Sequence, residues 1–196
     1  PILVYISNPT ELGTIYTRAE LEALYGVCRR YGLYLFVDGA RLAYGLMAEG
    51  NDVDLPVLAA NCDVFYIGGT KMGALFGEAV VICNPKLQED FRYLIKQKGG
   101  MLAKGRLLGI QFLELLQDGL YFDLGEHAVK LAQKLREGLL NAGYKMQDST
   151  TNQQFVIVSD EELKKIEEKY CVSYIERIGE DQNVIRICTS WATTEE

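Results

Sequence analysis

Four short apolar runs constrain this chain more than any other feature: ILVYI at 2–6, LYLFVD at 33–38, DVFYIG at 63–68 and EAVVIC at 78–83. Each has the length of a strand and few polar interruptions, as strands covered on both faces do. Between the first two lies TRAELEALYGVCRRYG, where Thr17 and Glu20 have capping-box spacing and Leu21, Leu24, Tyr25 and Cys28 share one helical face. Gly32 suits the end of that helix, and a second, short helix is expected from near Arg41. Strand, helix, strand, helix, strand is the rhythm of an α/β fold with a mostly parallel, helix-covered sheet.

After Pro85 the pattern changes to helices, expected at 86–96, 106–117 and 121–141, with the basic glycine loop KQKGGMLAKGR between the first two. Leu124, Ala128, Leu131, Leu135 and Leu139 form the buried stripe of the last helix, which Gly143 ends. A strand at 155–158, a helix capped by Ser159 and Glu162, and strands at 172–175 and 184–189 then predict a small α+β unit. The expected organisation is a partial large domain at 1–85, a helical connection at 86–141 and an incomplete small domain at 142–196. The chain starts inside a strand-like run without Met and ends on Thr193-x-x-Glu196, the spacing of a box that would open a helix. Both ends therefore read as cuts in a longer protein.

Of 196 residues 48% are hydrophobic, enough for a core, and the net charge of -7 argues against nucleic acid or a membrane surface as partner. Five cysteines, Cys28, Cys62, Cys83, Cys171 and Cys188, are scattered without a CxxC pair, which points to a reducing compartment and to no zinc site. With no signal peptide and no membrane-length apolar segment in these residues, the expected location is the cytoplasm.

Asp38 closes the apolar run LYLFV, and ligands of open α/β sheets bind beyond that end of the strands. An aspartate there can cap the next helix, hold a ribose hydroxyl, hold magnesium or pair with a cationic ring, and Arg41, three residues on, is close enough to share one site. Lys71 stands at the end of another apolar run, among Gly68, Gly69, Gly73 and Gly77. Its spacing fails the phosphate-loop pattern, and no GxGxxG occurs, so a nucleotide-binding fold is disfavoured. A lysine lodged between buried strands is expected to be desolvated, which frees its amine to attack a carbonyl, and the glycines would let a flat cofactor approach. The alternative is a lysine that reaches out of a turn. The pair, an aspartate and a lysine both at strand ends and 33 residues apart, suits pyridoxal phosphate (PLP) chemistry: a Schiff-base lysine, and a carboxylate that keeps the pyridine nitrogen protonated.

LYLFVDGARL, YIGGTKMGALFGEAVV, KGGMLAKG and IRICTSWATTEE, in that order along nearly the whole chain, resemble the L-threonine aldolases. These belong to the β-eliminating lyase group of PLP enzymes of fold type I, the aspartate aminotransferase type. The resemblance implies that Lys71 anchors PLP and Asp38 partners its ring nitrogen. It implies that Thr70 reaches the phosphate, and that Arg41 and Arg186 grip the substrate carboxylate. For Thr70 the alternative is a residue that merely finishes the strand. For Arg186 it is a strand arginine facing solvent, with Ile185 and Ile187 inward. Gly99, Gly100 and Met101 match a family loop near a partner subunit's cofactor, with Lys98 and Lys104 as its cations; a solvated basic loop is the alternative. Asn8 and Thr10 either line the pocket or form a plain turn, and His127 reads as structural. The ring-stacking histidine and most of the phosphate cradle are implied upstream of Pro1.

The activity implied is cleavage of a β-hydroxy-α-amino acid, threonine or allo-threonine, to glycine and an aldehyde, in a homodimer or homotetramer. β-Elimination, transamination or racemisation on the same scaffold is the nearest alternative. A non-catalytic folding or dimerisation unit is the alternative from another class.

Overall fold

The computed structural model describes residues 2–195. In order, β1 (Leu3–Ser7), α1 (Arg18–Arg30), β2 (Tyr34–Asp38), α2 (Leu42–Leu46), α3 (Leu55–Ala60), β3 (Val64–Gly68) and β4 (Glu78–Ile82) build the first half. The first three strands run parallel, β4 runs antiparallel to β3, and the spatial order is β1-β2-β3-β4. Both arms of the Thr17–Glu20 capping box are made, and Leu21 and Cys28 are fully buried, which fixes where α1 starts and which face it turns inward. Alternation along the strands sends Leu35, Val37, Phe65 and Ile67 into the core with α1, α2 and the later α6.

The second half contains α4 (Phe91–Gln97), α5 (Arg106–Leu116), α6 (Leu120–Asn141), β5 (Lys145–Met146), β6 (Gln153–Val158), α7 (Asp160–Glu167), β7 (Ser173–Gly179) and β8 (Gln182–Cys188). Its sheet is antiparallel, in the order β5-β6-β8-β7, with Val156, Val158 and Ile185 as its buried centre. The helix expected at 86–96 is broken into a 3-10 turn at Pro85–Leu87 and the shorter α4, because Asp90 takes a left-handed φ of 54° between them. α3 and β5, absent from the sequence reading, are too short to carry a period. The box ending at Glu196 lies partly outside the described residues.

A polar seam joins the two sheets. Ser149 Oγ donates to Gly13 O (3.2 Å), Gln153 Nε2 donates to Thr10 O (3.4 Å), and Thr189 Oγ1 donates to Ala128 O on α6 (2.6 Å). Ser149, Gln153 and Thr189 are all buried, so these bonds satisfy groups that would otherwise be stranded away from water. The first two bonds fix the loop after β1 against β6 and the turn before it, and the third ties the end of β8 to α6.

Candidate active site

The carboxyl ends of β1, β2 and β3 form one edge. In-register pairing puts Tyr5 beside Phe36 and Ser7 beside Asp38, so Tyr5, Phe36 and Asp38 point to the sheet face opposite the core, with Tyr66 of β3. Tyr5 and Phe36 stack at 5.4 Å between centroids, and Phe36 meets Tyr66 at 6.1 Å. Both phenols donate to Asp38, Tyr5 to Oδ2 and Tyr66 to Oδ1, and the Ala40 N–H adds a third bond to Oδ1 (2.9 Å). Burial pushes the Asp38 carboxyl up, but the two phenols, the amide and the charge of Lys71 outweigh it and hold the group below its ordinary value. The bond to Asp38 pushes the Tyr5 phenol up to about 12, and burial together with the same bond raises Tyr66.

Lys71 lies in a 3-10 turn at Thr70–Met72 just past β3, and Gly73 ends the turn at a φ of 92°. Tyr44 Oη donates to the Lys71 carbonyl (2.5 Å), which pins the backbone while the side chain stays exposed. The expectation of a lysine desolvated between buried strands is therefore corrected. The flanking strands are half-buried, and the turn carries the amine out on the open face, where its charge acts on both Asp38 and Glu78. Gly68 also has a packing use. A Cβ on Gly68 would lie 2.5 Å from the Ala40 carbonyl oxygen, so that glycine lets β3 pass the DGAR turn.

Glu78, at the start of β4, was not singled out from the sequence. It accepts from the Gly69 N–H (2.7 Å) and more distantly from Thr70 Oγ1 (3.4 Å), and burial raises its carboxyl above the usual range. The Thr70 hydroxyl thus faces a carboxylate. A single acidic residue opening an apolar strand, in FGEAVV, was the one sign of it in the sequence.

Arg41 caps α2 and Arg186 lies in the middle of β8, opposite Phe155 of β6. They come from different halves of the chain, yet both reach Glu11 in the loop after β1: Arg41 Nη1 lies 2.7 Å from Oε1, and Arg186 Nη1 lies 3.8 Å from Oε2. Arg186 Nη1 also donates to Gln153 Oε1 (3.0 Å), and its Nε is buried without a partner among the described residues. Arg186 therefore turns toward the first sheet while Ile185 fills the core, and it is not a solvent-facing strand arginine. Glu11 and Gln153 were also missed, because only the three-dimensional fold brings 11, 41, 153 and 186 together.

The remaining candidates separate. Asn8 is buried and structural: its N–H donates to Asp38 O (2.9 Å) and its Oδ1 accepts from Tyr16 N (3.2 Å). Thr10 belongs to a turn closed on Thr14. His127 Nε2 bonds the Thr193 carbonyl (2.8 Å), tying α6 to the chain end. Lys98 and Lys104 are exposed in the loop between α4 and α5. No group of three His, Cys, Asp or Glu placed to hold a metal occurs among the described residues, and no helix there is long and apolar enough to cross a membrane.

The PLP ring, if it binds here, needs an ionised acceptor for its nitrogen. A carboxylate offers about four lone-pair directions. Asp38 Oδ1 already accepts two bonds, whereas Oδ2 accepts only that of Tyr5 and keeps a direction open. The low carboxyl, the open acceptor and a lysine amine on the same edge fit that group.

Relatives share this arrangement of chain. The chain is 46% identical to a structure of Leishmania major threonine aldolase, with a TM-score of 0.96 over 100% of this chain and 57% of that one. It is 38% identical over 135 residues to the low specificity L-threonine aldolase of a Pseudomonas species, 69% of this chain but 39% of that protein. An aspartate aminotransferase of Thermus thermophilus, 16% identical with a TM-score of 0.68 over 98% of this chain and 53% of its own, shares the fold. The chain thus spans about two-fifths to three-fifths of the length of these relatives. The sequence pattern of the family described as beta-eliminating lyase runs from residue 1 to residue 161, through β1 to the start of α7, and the chain belongs to that family.

Proposed function

We propose that the protein is a PLP-dependent aldehyde-lyase that cleaves a β-hydroxy-α-amino acid, threonine or allo-threonine, to glycine and an aldehyde. The observation that carries this reading is the meeting of Arg41 and Arg186 on one carboxylate, beside the edge that bears Asp38 and Lys71. The Pseudomonas and Leishmania relatives, both threonine aldolases, supply the choice of reaction.

In this reading the Lys71 amine is the anchor for PLP, presented by a turn whose carbonyl Tyr44 holds in place. PLP, when bound, supplies the electron sink for the bond broken between Cα and Cβ. Asp38, kept ionised by its three donors, offers the open direction of Oδ2 to the ring N–H and so holds the proton there. Arg41 and Arg186 grip the substrate carboxylate, for which a planar guanidinium is suited because its N–H groups bond both oxygens. Holding the carboxylate in place sets rotation about the N–Cα bond, which decides which bond to Cα is broken. For Thr70 a phosphate contact remains the proposed role, and it requires the hydroxyl to leave Glu78.

The test is the Schiff-base absorption of the PLP-treated protein. It is expected to be present in the unsubstituted protein and lost in Lys71→Ala; a band that survives would remove Lys71 from the role. The family's description favours β-elimination as the second reading. Glycine plus aldehyde from threonine supports the first, whereas ammonia with a keto acid supports the second. We further propose a homodimer or homotetramer, supported by the exposed apolar residues of α5, and a cytoplasmic location, supported by five cysteines that are all free.

A further inference from the structure

The two arginines are already engaged by a carboxylate of the chain itself. We propose that Glu11 holds the seat of the substrate carboxylate and yields it when the amino acid binds; this rests on the assignment of Arg41 and Arg186 above. Three observations carry it. Glu11 touches both guanidinium groups, one at 2.7 Å and the other at 3.8 Å, so it is a close partner to Arg41 and a loose one to Arg186. Its side chain is 67% exposed, while those of Arg41 and Arg186 are 14% and 23% exposed. The carboxylate therefore lies on the solvent side of two sunken cations, the side from which a ligand arrives. Finally, Arg186 Nε has no hydrogen-bond partner among the described residues, so the fork of Arg186 is only partly used.

The loop is built so that Glu11 can leave without disturbing its neighbours. Gly13 N donates to Thr10 O (3.1 Å), Thr10 N donates to Thr14 O (2.8 Å), and the buried Gln153 and Ser149 bond the carbonyls of Thr10 and Gly13. The backbone on both sides of Glu11 is thus held, and rotation of one exposed side chain clears the seat. An ion pair whose carboxylate is exposed is partly screened by salt, so a ligand able to bond both arginines can displace it. Until then Glu11 keeps two like charges from facing each other unpaired.

Glu11→Gln preserves the shape of the residue and removes its charge. We expect the KM for threonine of the PLP-loaded protein to fall about threefold, the scale of an exposed ion pair. In the absence of PLP, acetate followed through the Nε–H resonances of Arg41 and Arg186 should saturate at a correspondingly lower concentration. A rise in either quantity would mean that Glu11 aligns the arginines for the substrate, and that would overturn the proposal; no change in either would overturn it too. Arg186→Lys keeps the charge but loses the fork, and it separates this inference from the reading beneath it. If Arg186→Lys raises KM and weakens acetate while Glu11→Gln does not strengthen them, only the role of Glu11 falls. If Arg186→Lys changes neither, the carboxylate assignment falls, and the role of Glu11 with it.

Discussion

Asp38 is the residue on which most of the site's electrostatics turn, and its partners can be tested without any cofactor. The Tyr5 phenol is pushed up to about 12 first by its bond to Asp38, so replacing the carboxylate should release it. In Asp38→Asn the Tyr5 phenol is expected to titrate back toward the ordinary value of about 10, and Tyr66 to fall as well. Ultraviolet titration of tyrosinate, with Tyr5→Phe to identify the signal, checks this; an unchanged late-titrating fraction would count against the bond. The signs for stability follow from the same shifts. Because the Tyr5 value is raised in the fold, its contribution is complete below about pH 10 and is lost as pH rises through about 12. Because the Asp38 value is lowered, its contribution is present above the ordinary carboxylate range and is lost as pH falls through the folded value. The cluster is therefore intact across neutral pH, and Asp38→Asn should remove its contribution within that window and flatten the pH dependence at both ends. Asp38, Arg41 and Lys71 stand out in the sequence as candidates because each lies at or just after the end of an apolar run. Tyr5, Tyr66, Glu11 and Gln153 were not, because what they do depends on strand register and on contacts across the two sheets. Lys71 was misjudged in one respect: apolar neighbours in sequence alternate between faces, so they do not bury the turn that follows them.

At the scale of elements, α6 is the bridge, since it packs on α2 beneath the first sheet and its Ala128 carbonyl receives Thr189 from the second. Two glycines of this helix separate packing from propensity. A Cβ on Gly125 would lie 2.9 Å from the Ala43 carbonyl oxygen and 2.9 Å from the Ala43 Cβ, so α2 and α6 touch through that glycine. A Cβ on Gly138 would have nothing within 4 Å. Glycine to alanine in a helix interior gains about 1 kcal/mol, whereas forcing a methyl group into a packed contact costs about 1–3 kcal/mol. Gly138→Ala is therefore expected to stabilise by about 1 kcal/mol. Gly125→Ala should destabilise by up to about 2 kcal/mol, the clash exceeding the gain. Urea unfolding of the two variants reads the difference, and equal stabilisation of both would mean that the α2–α6 contact is looser than described. Helices α1, α5, α6 and α7 were legible because capping residues or a long apolar stripe mark them, as in Ser159–Glu162 before α7. The break at Asp90 was not, because nothing in the local pattern favours a left-handed aspartate there.

Residues 2–195 leave an apolar surface that they do not themselves cover. α5, RLLGIQFLELL, is apolar almost all round, a composition that suits a helix covered on more than one side. Only Leu115 is buried, however, and Leu107, Ile110, Leu113 and Leu116 form an exposed row at three-residue spacing. Ile110 and Leu113 are 56% and 65% exposed, and Leu75, in the loop just after Lys71, is 85% exposed beside the same helix. An apolar row of this kind, next to the turn that carries the lysine, is what the proposed homo-oligomer would cover, and covering it would bring a second subunit close to the site. Charging the row should then dissociate the assembly while sparing the fold, because these side chains contribute little to the core. In Ile110→Glu with Leu113→Glu, light scattering after size exclusion is expected to report a smaller species, with far-ultraviolet circular dichroism unchanged. A mass identical to that of the unsubstituted protein would place the contact elsewhere. If the mass falls, the Schiff-base absorption of the dissociated form shows whether a subunit holds PLP by itself or needs its partner.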